Sequence, residues 1–263
     1  MTDADLEPRL AFAVEASAEA GHFTLKHFRS HELGVELKPD DSPVTVADRG
    51  AELLLRERIA AKFPQDAILG EEFPERAGTS GYRWILDPID GTKSFICGVP
   101  LYGTLIGLER EGHCVLGVIR IPALNEYVYA ALGHGAWYVQ GSHAAKKAQV
   151  SDRRELADCV FCTSEVRGFT GNRRKAFDAL DTGTRISRTW GDCYGYLLVA
   201  TGRADIMLDP QMNAWDAGAV QPILIEAGGT FTDWKGNPTI YNGEGLATNG
   251  RVLDQVLAIT REY

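Results

Sequence analysis

The sequence predicts an α+β fold in which helices cover a largely antiparallel sheet. Two observations carry that prediction. Stretches before Lys62 have helical periodicity, whereas the chain from Ala67 to Gln140 breaks into short β-rich runs. Those runs are joined by connections such as "REGH" and "ALN", too short for a crossover helix, so neighbours must run antiparallel.

Leu10, Val14, Ser17, Gly21, Leu25 and Phe28 share one helical face, which predicts a first helix over residues 5–29. A polar loop, "KPDDSPVTVADRG", separates it from a second helix over 47–62. The face of that helix is Ala51, Leu54, Leu55, Arg58 and Ile59, with the Arg58 stem lying along apolar surface. Strands follow in "AIL", "RWIL", "GTLIGLE", "CVLGVIRIP", "EYVYAAL" and "AWYVQ", with helices packed on one face of their sheet. The second half mixes strands ("DCVFCTS", "TRISRTW", "ADIMLD", "TFTDW") with helices over 172–180, 192–201, 215–227 and in "RVLDQVLAITREY". Pro222 predicts a kink inside the third of these helices. The segment "GSHAAKKAQVSDRRELAD" divides an N-terminal α+β half, 1–145, from a C-terminal α/β half, 146–263, the two forming one catalytic unit.

A net charge of −9 argues against a nucleic-acid or anionic-lipid surface, since both need clustered Lys and Arg. It leaves room for an anionic substrate, because bound cations invert the charge of a small site. The acidic N-terminus lacks a secretory pattern, and no apolar run approaches bilayer length, so a cytoplasmic protein is expected. Five cysteines, an odd number, fit reduced thiols. "CVFC" (Cys159 and Cys162) has no second pair to complete a zinc site and lies in a strand, so buried structural thiols are expected.

Three acidic signals remain: Glu71 and Glu72 in "LGEEF", Asp87 and Asp90 in "LDPIDGT", and Asp216 in "NAWDAGA". Taken singly, each reads as a solvated turn or a helix cap. Together they end apolar strands or open an apolar helix, positions that converge in a cleft. An all-oxygen set without nearby His or Cys suits a hard cation such as Mg²⁺ or Mn²⁺. Gly91 and Thr92 would turn backbone N–H groups, and the positive end of a helix beginning there, toward a phosphate. Carboxylate-held cations beside an anion cradle point to phosphoryl transfer.

These residues resemble the inositol monophosphatase superfamily of Mg²⁺-dependent phosphatases. "GEE" (residues 70–72), "DPIDGT" (87–92), "WDAGA" (215–219) and "EAGG" (226–229) match its motifs in order across nearly the whole chain. The resemblance implies a layered αβαβα sandwich and a homodimer. It implies that Glu71, Asp87 and the Ile89 carbonyl hold one Mg²⁺, that Asp87, Asp90 and Asp216 hold a second, and that a third is shared weakly through Glu71, with Mn²⁺ as a substitute. It further implies that Thr92 and Glu71 activate a water, that Asp48 polarises Thr92, and that the Gly91 and Thr92 amides receive the phosphate. Lys38 matches a family lysine near the water network, or reads equally as a solvated loop lysine.

The specificity segment departs from the inositol enzymes. Asp192 stands where they have a small neutral residue, and Asp209 where they have a glutamate. Extra acids suit a cationic leaving group, and "TWGDCYGYLLVATGRADIMLDP" is similar to the histidinol-phosphate phosphatases of the superfamily. Asp192 and Asp209 are then expected to contact the cationic part of the substrate, with Arg188 and Trp190 lining the pocket; an N-cap role for Asp192 and a surface role for Arg188 are the structural alternatives. An inositol phosphatase of broad specificity, a 3′-phosphoadenosine bisphosphate nucleotidase and a degenerate binding protein are the competing functions. Every acid of the site and Thr92 are present, which favours an enzyme.

Overall fold

The computed structural model describes residues 6–30, 34–38 and 43–262. Helix α1 (Leu6–His27) opens the chain; its expected start at Asp5 lies outside the described residues. A two-stranded ribbon, β1 (Glu36–Leu37) with β2 (Pro43–Val44), leads to α2 (Val46–Lys62). α2 begins in a capping box: Thr45 accepts from the Ala47 N–H, while the Asp48 carboxylate accepts the Thr45 N–H at 2.8 Å.

The first sheet has seven strands in sequence order: β3 (Ala67–Gly70), β4 (Tyr82–Asp90), β5 (Gly103–Arg110), β6 (His113–Ile121), β7 (Glu126–Ala131), β8 (Ala136–Gln140) and β9 (Lys146–Lys147). All pairs are antiparallel except β3 with β4. β9 carries the sheet into residues assigned from sequence to the second half. A short helix, α3 (Thr92–Ile96), follows β4. The second sheet has the order β11-β10-β12-β14-β13, from β10 (Val160–Cys162), β11 (Ile186–Arg188), β12 (Ile206–Asp209), β13 (Thr230–Thr232) and β14 (Gly245–Thr248). Between these strands run α4 (Gly171–Gly183), α5 (Cys193–Ala200), α6 (Ala214–Ala217) and α7 (Val220–Glu226), and α8 (Leu253–Glu262) closes the fold.

Side-chain alternation explains the layering. Trp84 and Leu86 on β4 pack with Phe12, Ala16, Leu55 and Ile59 of α1 and α2. Ile85, between them, faces the opposite way, into a core shared with Leu197 of α5, Ile223 of α7, and Met207 and Phe231 of the second sheet. The far side of that sheet packs Phe161 and Leu208 on Phe177 of α4 and Val256 of α8. The order is therefore α, β, α, β, α. This is the sandwich that the family resemblance implies, and it corrects the expectation from strand connections of helices on one face only: the near-continuous apolar run of β4 is buried on both sides, as doubly covered strands are.

The helix expected over 215–227 is interrupted at Gly218 and Ala219, within one turn of Pro222, as a proline inside a helix predicts. The break lies upstream, between α6 and α7, and leaves the proline in the first turn of α7. A proline there removes only a donor that has no helical partner. The broken junction rests directly on the first sheet. A Cβ on Gly107 of β5 would lie 2.6 Å from the Gly218 carbonyl carbon, and one on Gly117 of β6 would strike the Ala219 carbonyl.

Cys159 and Cys162 are fully buried and enter different cores, one on each side of the second sheet. Burial pushes both thiols up to about 12, so they remain protonated and inert, as expected of structural thiols.

Candidate active site

The site forms where β4 ends. Pro88 has no N–H to give the ladder, and the pairing with β5 shifts register between Asp87 and Asp90. The local groups are satisfied by other means. The Pro88 carbonyl accepts the Thr104 hydroxyl at 2.9 Å, and the Ile89 N–H donates to Asp87 Oδ1 at 3.0 Å. Asp87 shares the face of Ile85, beneath the central helices, and Asp216 arrives in the first turn of α6. The Asn213 N–H fixes it by donating to Asp216 Oδ2 at 2.6 Å. Carboxylate oxygens of Asp87, Asp90 and Asp216 lie within 4.8 Å of one another.

Burial drives the carboxyls of Asp87 and Asp90 well above the ordinary carboxylate range, and the neighbouring acids add to it. Asp216 is pushed up to about 7, again chiefly by burial. Among the described residues no ion pair reaches these three acids. An all-oxygen set, buried at Asp87 and half-buried at Asp90 and Asp216, that repels itself and lacks a protein counter-charge fits a hard divalent cation.

A stability prediction follows. Each raised carboxyl favours the protonated folded state, and that contribution is complete below the unfolded value of 3.8. It is lost as pH rises through about 6 for Asp209 and about 7 for Asp216. Thermal unfolding with a chelator present should therefore show Tm falling between pH 5 and pH 8, with Mg²⁺ removing most of the fall. A flat or rising profile would contradict the burial of these carboxyls without a counter-charge.

Gly91, at φ 87°, turns the chain from β4 into α3. A Cβ there would sit 2.7 Å from Asp192 Oδ2, so only glycine lets that carboxylate approach the turn. A helix does begin at Thr92, but α3 has only five residues, so it offers N–H groups more than a macrodipole. The Thr92 hydroxyl lies 3.3 Å from Asp48 Oδ1 and 3.2 Å from the Ile89 carbonyl. Asp48 is fully buried, which raises its carboxyl, while bonds from Thr45 and Thr92 oppose the rise. It both caps α2 and faces Thr92.

Glu71 accepts Lys38 Nζ at 2.6 Å, and the same ammonium reaches Glu72 at 2.7 Å. Lys38 is thus held by two acids at the edge of the site rather than solvated. Burial raises the Glu71 carboxyl against the pull of Lys38.

A cavity of about 330 Å³ opens over these groups, lined also by Lys93, Ser164, Glu165, Tyr196 and Gln211. Six carboxylates face it: Glu71, Asp90, Glu165, Asp192, Asp209 and Asp216. Lys93 is the single lysine or arginine among the described lining residues and pairs with Glu165 at 2.5 Å. Asp192 precedes α5 but makes no capping bond with its side chain; it lines the cavity beside Ser164 and Lys93. Asp209 lines the cavity yet is tightly engaged, accepting the Ser164 N–H at 2.9 Å and the Tyr196 hydroxyl at 2.8 Å. Arg188 and Trp190 do not line it. Both are exposed, and Arg188 bonds the Ser187 carbonyl, because the chain leaving edge strand β11 turns toward solvent before Asp192.

Sequence reasoning missed Ser164, Glu165 and Tyr196. The parallel pairing of β10 with β12 brings the residues after Cys162 beside Asp209, and no local pattern encodes that register. It also missed the α5 N-terminus, where the Cys193 N–H donates to Asp90 Oδ2.

A model of the "Inositol monophosphatase family" matches residues 5–263. A histidinol-phosphatase of Chlorobaculum parvum is 46% identical over 253 residues, covering 96% of each chain. One from Streptomyces coelicolor is 38% identical, covering 95% of this chain and 94% of its own. The crystal structure of the extragenic suppressor protein suhB of Bartonella henselae superposes with a TM-score of 0.90 at 29% identity, covering 97% of this chain and 99% of that one. The layered architecture, the acids gathered at the end of β4 and the full-length match agree: the chain belongs to the inositol monophosphatase family of phosphoric monoester hydrolases.

Proposed function

We propose that this enzyme hydrolyses L-histidinol phosphate to L-histidinol and phosphate, using two Mg²⁺ ions, with a third held more weakly. The observation that carries the substrate is Asp192. Its carboxylate lies against Gly91, where the phosphate would bind, and it adds negative charge on the leaving-group side of a cavity already rich in acid. A leaving group bearing an ammonium and an imidazole matches that wall; a neutral polyol does not. The similarity to histidinol-phosphatases supports the same reading.

Asp87, Asp90, Asp216, Glu71 and the Ile89 carbonyl would hold the cations. When bound, such ions neutralise the phosphate dianion, acidify a water and stabilise the departing oxygen. The protein's own groups arrange the reaction around them. The Gly91 and Thr92 N–H groups receive phosphate oxygens. The Thr92 hydroxyl donates to Asp48 Oδ1, which leaves a Thr92 Oγ1 lone pair to accept from the attacking water; as the water gives its proton to Oγ1, the hydroxyl proton passes to Asp48 Oδ1. Glu71 orients that water from the other side. No side chain serves as a covalent nucleophile, so attack is direct and in line. Asp192 and Ser164 face the cationic leaving group, and Asp209 holds Ser164 and Tyr196 in place. The reading includes a homodimer and, with five free cysteines, a reducing cytoplasmic setting.

Phosphate release from L-histidinol phosphate, inositol 1-phosphate and adenosine 3′,5′-bisphosphate, compared at one Mg²⁺ concentration, tests the substrate. A dominant kcat/KM for the first is expected, and comparable rates on inositol 1-phosphate would discard it. Asp192→Ala should raise KM for L-histidinol phosphate about 10-fold, the loss of one charge-assisted contact. It should change KM for inositol 1-phosphate far less; equal effects would remove the charge argument.

A further inference from the structure

A second charged cluster lies behind Glu71, away from the cavity. The Glu52 carboxylate, from the middle of α2, is fully buried. Its Oε2 accepts the Glu72 N–H at 2.7 Å, and its Oε1 accepts Arg56 Nε at 2.7 Å. Arg56 Nη2 continues to the Phe73 carbonyl at 2.9 Å. The turn after β3 is therefore gripped from α2 at two consecutive residues. Gly70 makes the grip possible, because a Cβ at that position would overlap the Glu52 carboxylate.

A buried ion pair costs much desolvation and adds little net stability over an apolar contact of the same size. What such a pair supplies is direction, since its hydrogen bonds accept only one placement of the turn. That placement matters for one group. Asp87 and Asp90 are fixed by β4 and Asp216 by α6, but Glu71 hangs on the gripped turn and lies outside the trio gathered within 4.8 Å. Apart from its bond to Lys38, its backbone is tied to β4 by one long contact, from the Glu71 N–H to the Leu86 carbonyl at 3.3 Å.

We propose that Glu52 and Arg56 are positioning residues that set the affinity of the site for divalent cations through Glu71, without touching the cation. The proposal rests on the assignment of Glu71 as a ligand. It explains why a polar pair is kept beside Ala51, Leu55 and Ile59 in the packing of α2, and why the glycine of "GEE" precedes the acids.

The test compares Arg56→Met, Arg56→Lys, Glu71→Gln and Ile59→Val, the last a truncation on the apolar side of the same helix. Two quantities are read: the Mg²⁺ concentration that half-saturates phosphate release, and the rise in Tm on adding Mg²⁺ without substrate. Arg56→Met should raise the half-saturating Mg²⁺ about 10-fold, the usual cost of removing a partner behind a metal ligand, and shrink the Tm rise. Its kcat at saturating Mg²⁺ should stay near wild type. Arg56→Lys keeps the charge but not the fork, so it should fall between; it also serves if the methionine variant fails to fold. Ile59→Val should lower Tm while leaving the half-saturation unchanged. Wild-type half-saturation in both Arg56 variants overturns the proposal, as does an equal shift in Ile59→Val. Glu71→Gln separates the two levels: if it leaves half-saturation unchanged, the ligand assignment itself fails.

Discussion

Asp90→Asn yields a folded protein whose kcat/KM for phosphate release falls by about 10³-fold or more, equivalent to losing several kcal/mol of charge stabilisation in the transition state. The fold survives because the asparagine carbonyl still accepts the Cys193 N–H at the start of α5. Repulsion between Asp90 and both Asp192 and Asp216 disappears with the charge. Measured in a chelator, Tm should therefore match or exceed that of the wild type, while the stabilisation by Mg²⁺ shrinks. Steady-state assays and thermal melts on the same preparation decide it. Near-normal turnover would sink the assignment of Asp90 as a ligand.

Thr92→Val is the second large effect. Valine keeps the shape and removes the hydroxyl between Asp48 and the Ile89 carbonyl. Proton handling of this kind is worth about 10²–10⁴-fold, so kcat should fall about 10²-fold with KM and half-saturating Mg²⁺ little changed. Asp48 retains its bonds from Thr45, so the start of α2 stays intact and Tm moves little. Thr92→Ser should recover most of the rate. A valine variant within a few-fold of wild type would move the proton path elsewhere.

How much of this was legible beforehand depended on how local each signal is. The helices declared themselves because α1 and α2 each bury one stripe, and β4 to β8 did so through short turns between apolar runs. The carboxylates were legible because charge at the end of an apolar strand is costly wherever it occurs. The second face of the first sheet was legible only through the motif resemblance, since a strand covered on both sides loses its alternation. Ser164 and Tyr196 were not legible, because they reach the cavity through strand pairing between residues far apart in the chain. Arg188 and Trp190 were assigned to the pocket from nearness in sequence to Asp192, but the turn at Gly191 packs on Ser164 and separates them from it.

The seating of the α6–α7 junction on Gly107 and Gly117 has a bearing on how such enzymes are lost. Neither glycine lies in an acidic motif, yet the residues just after Asp216, Gly218 and Ala219, rest on both. A gene copy drifting free of selection could keep every carboxylate, and every signature by which it would be recognised, while one added methyl group in the floor of the sheet lifted one acid away from the others. Intact signatures in a diverged copy therefore say less about its activity than two small residues that no signature contains.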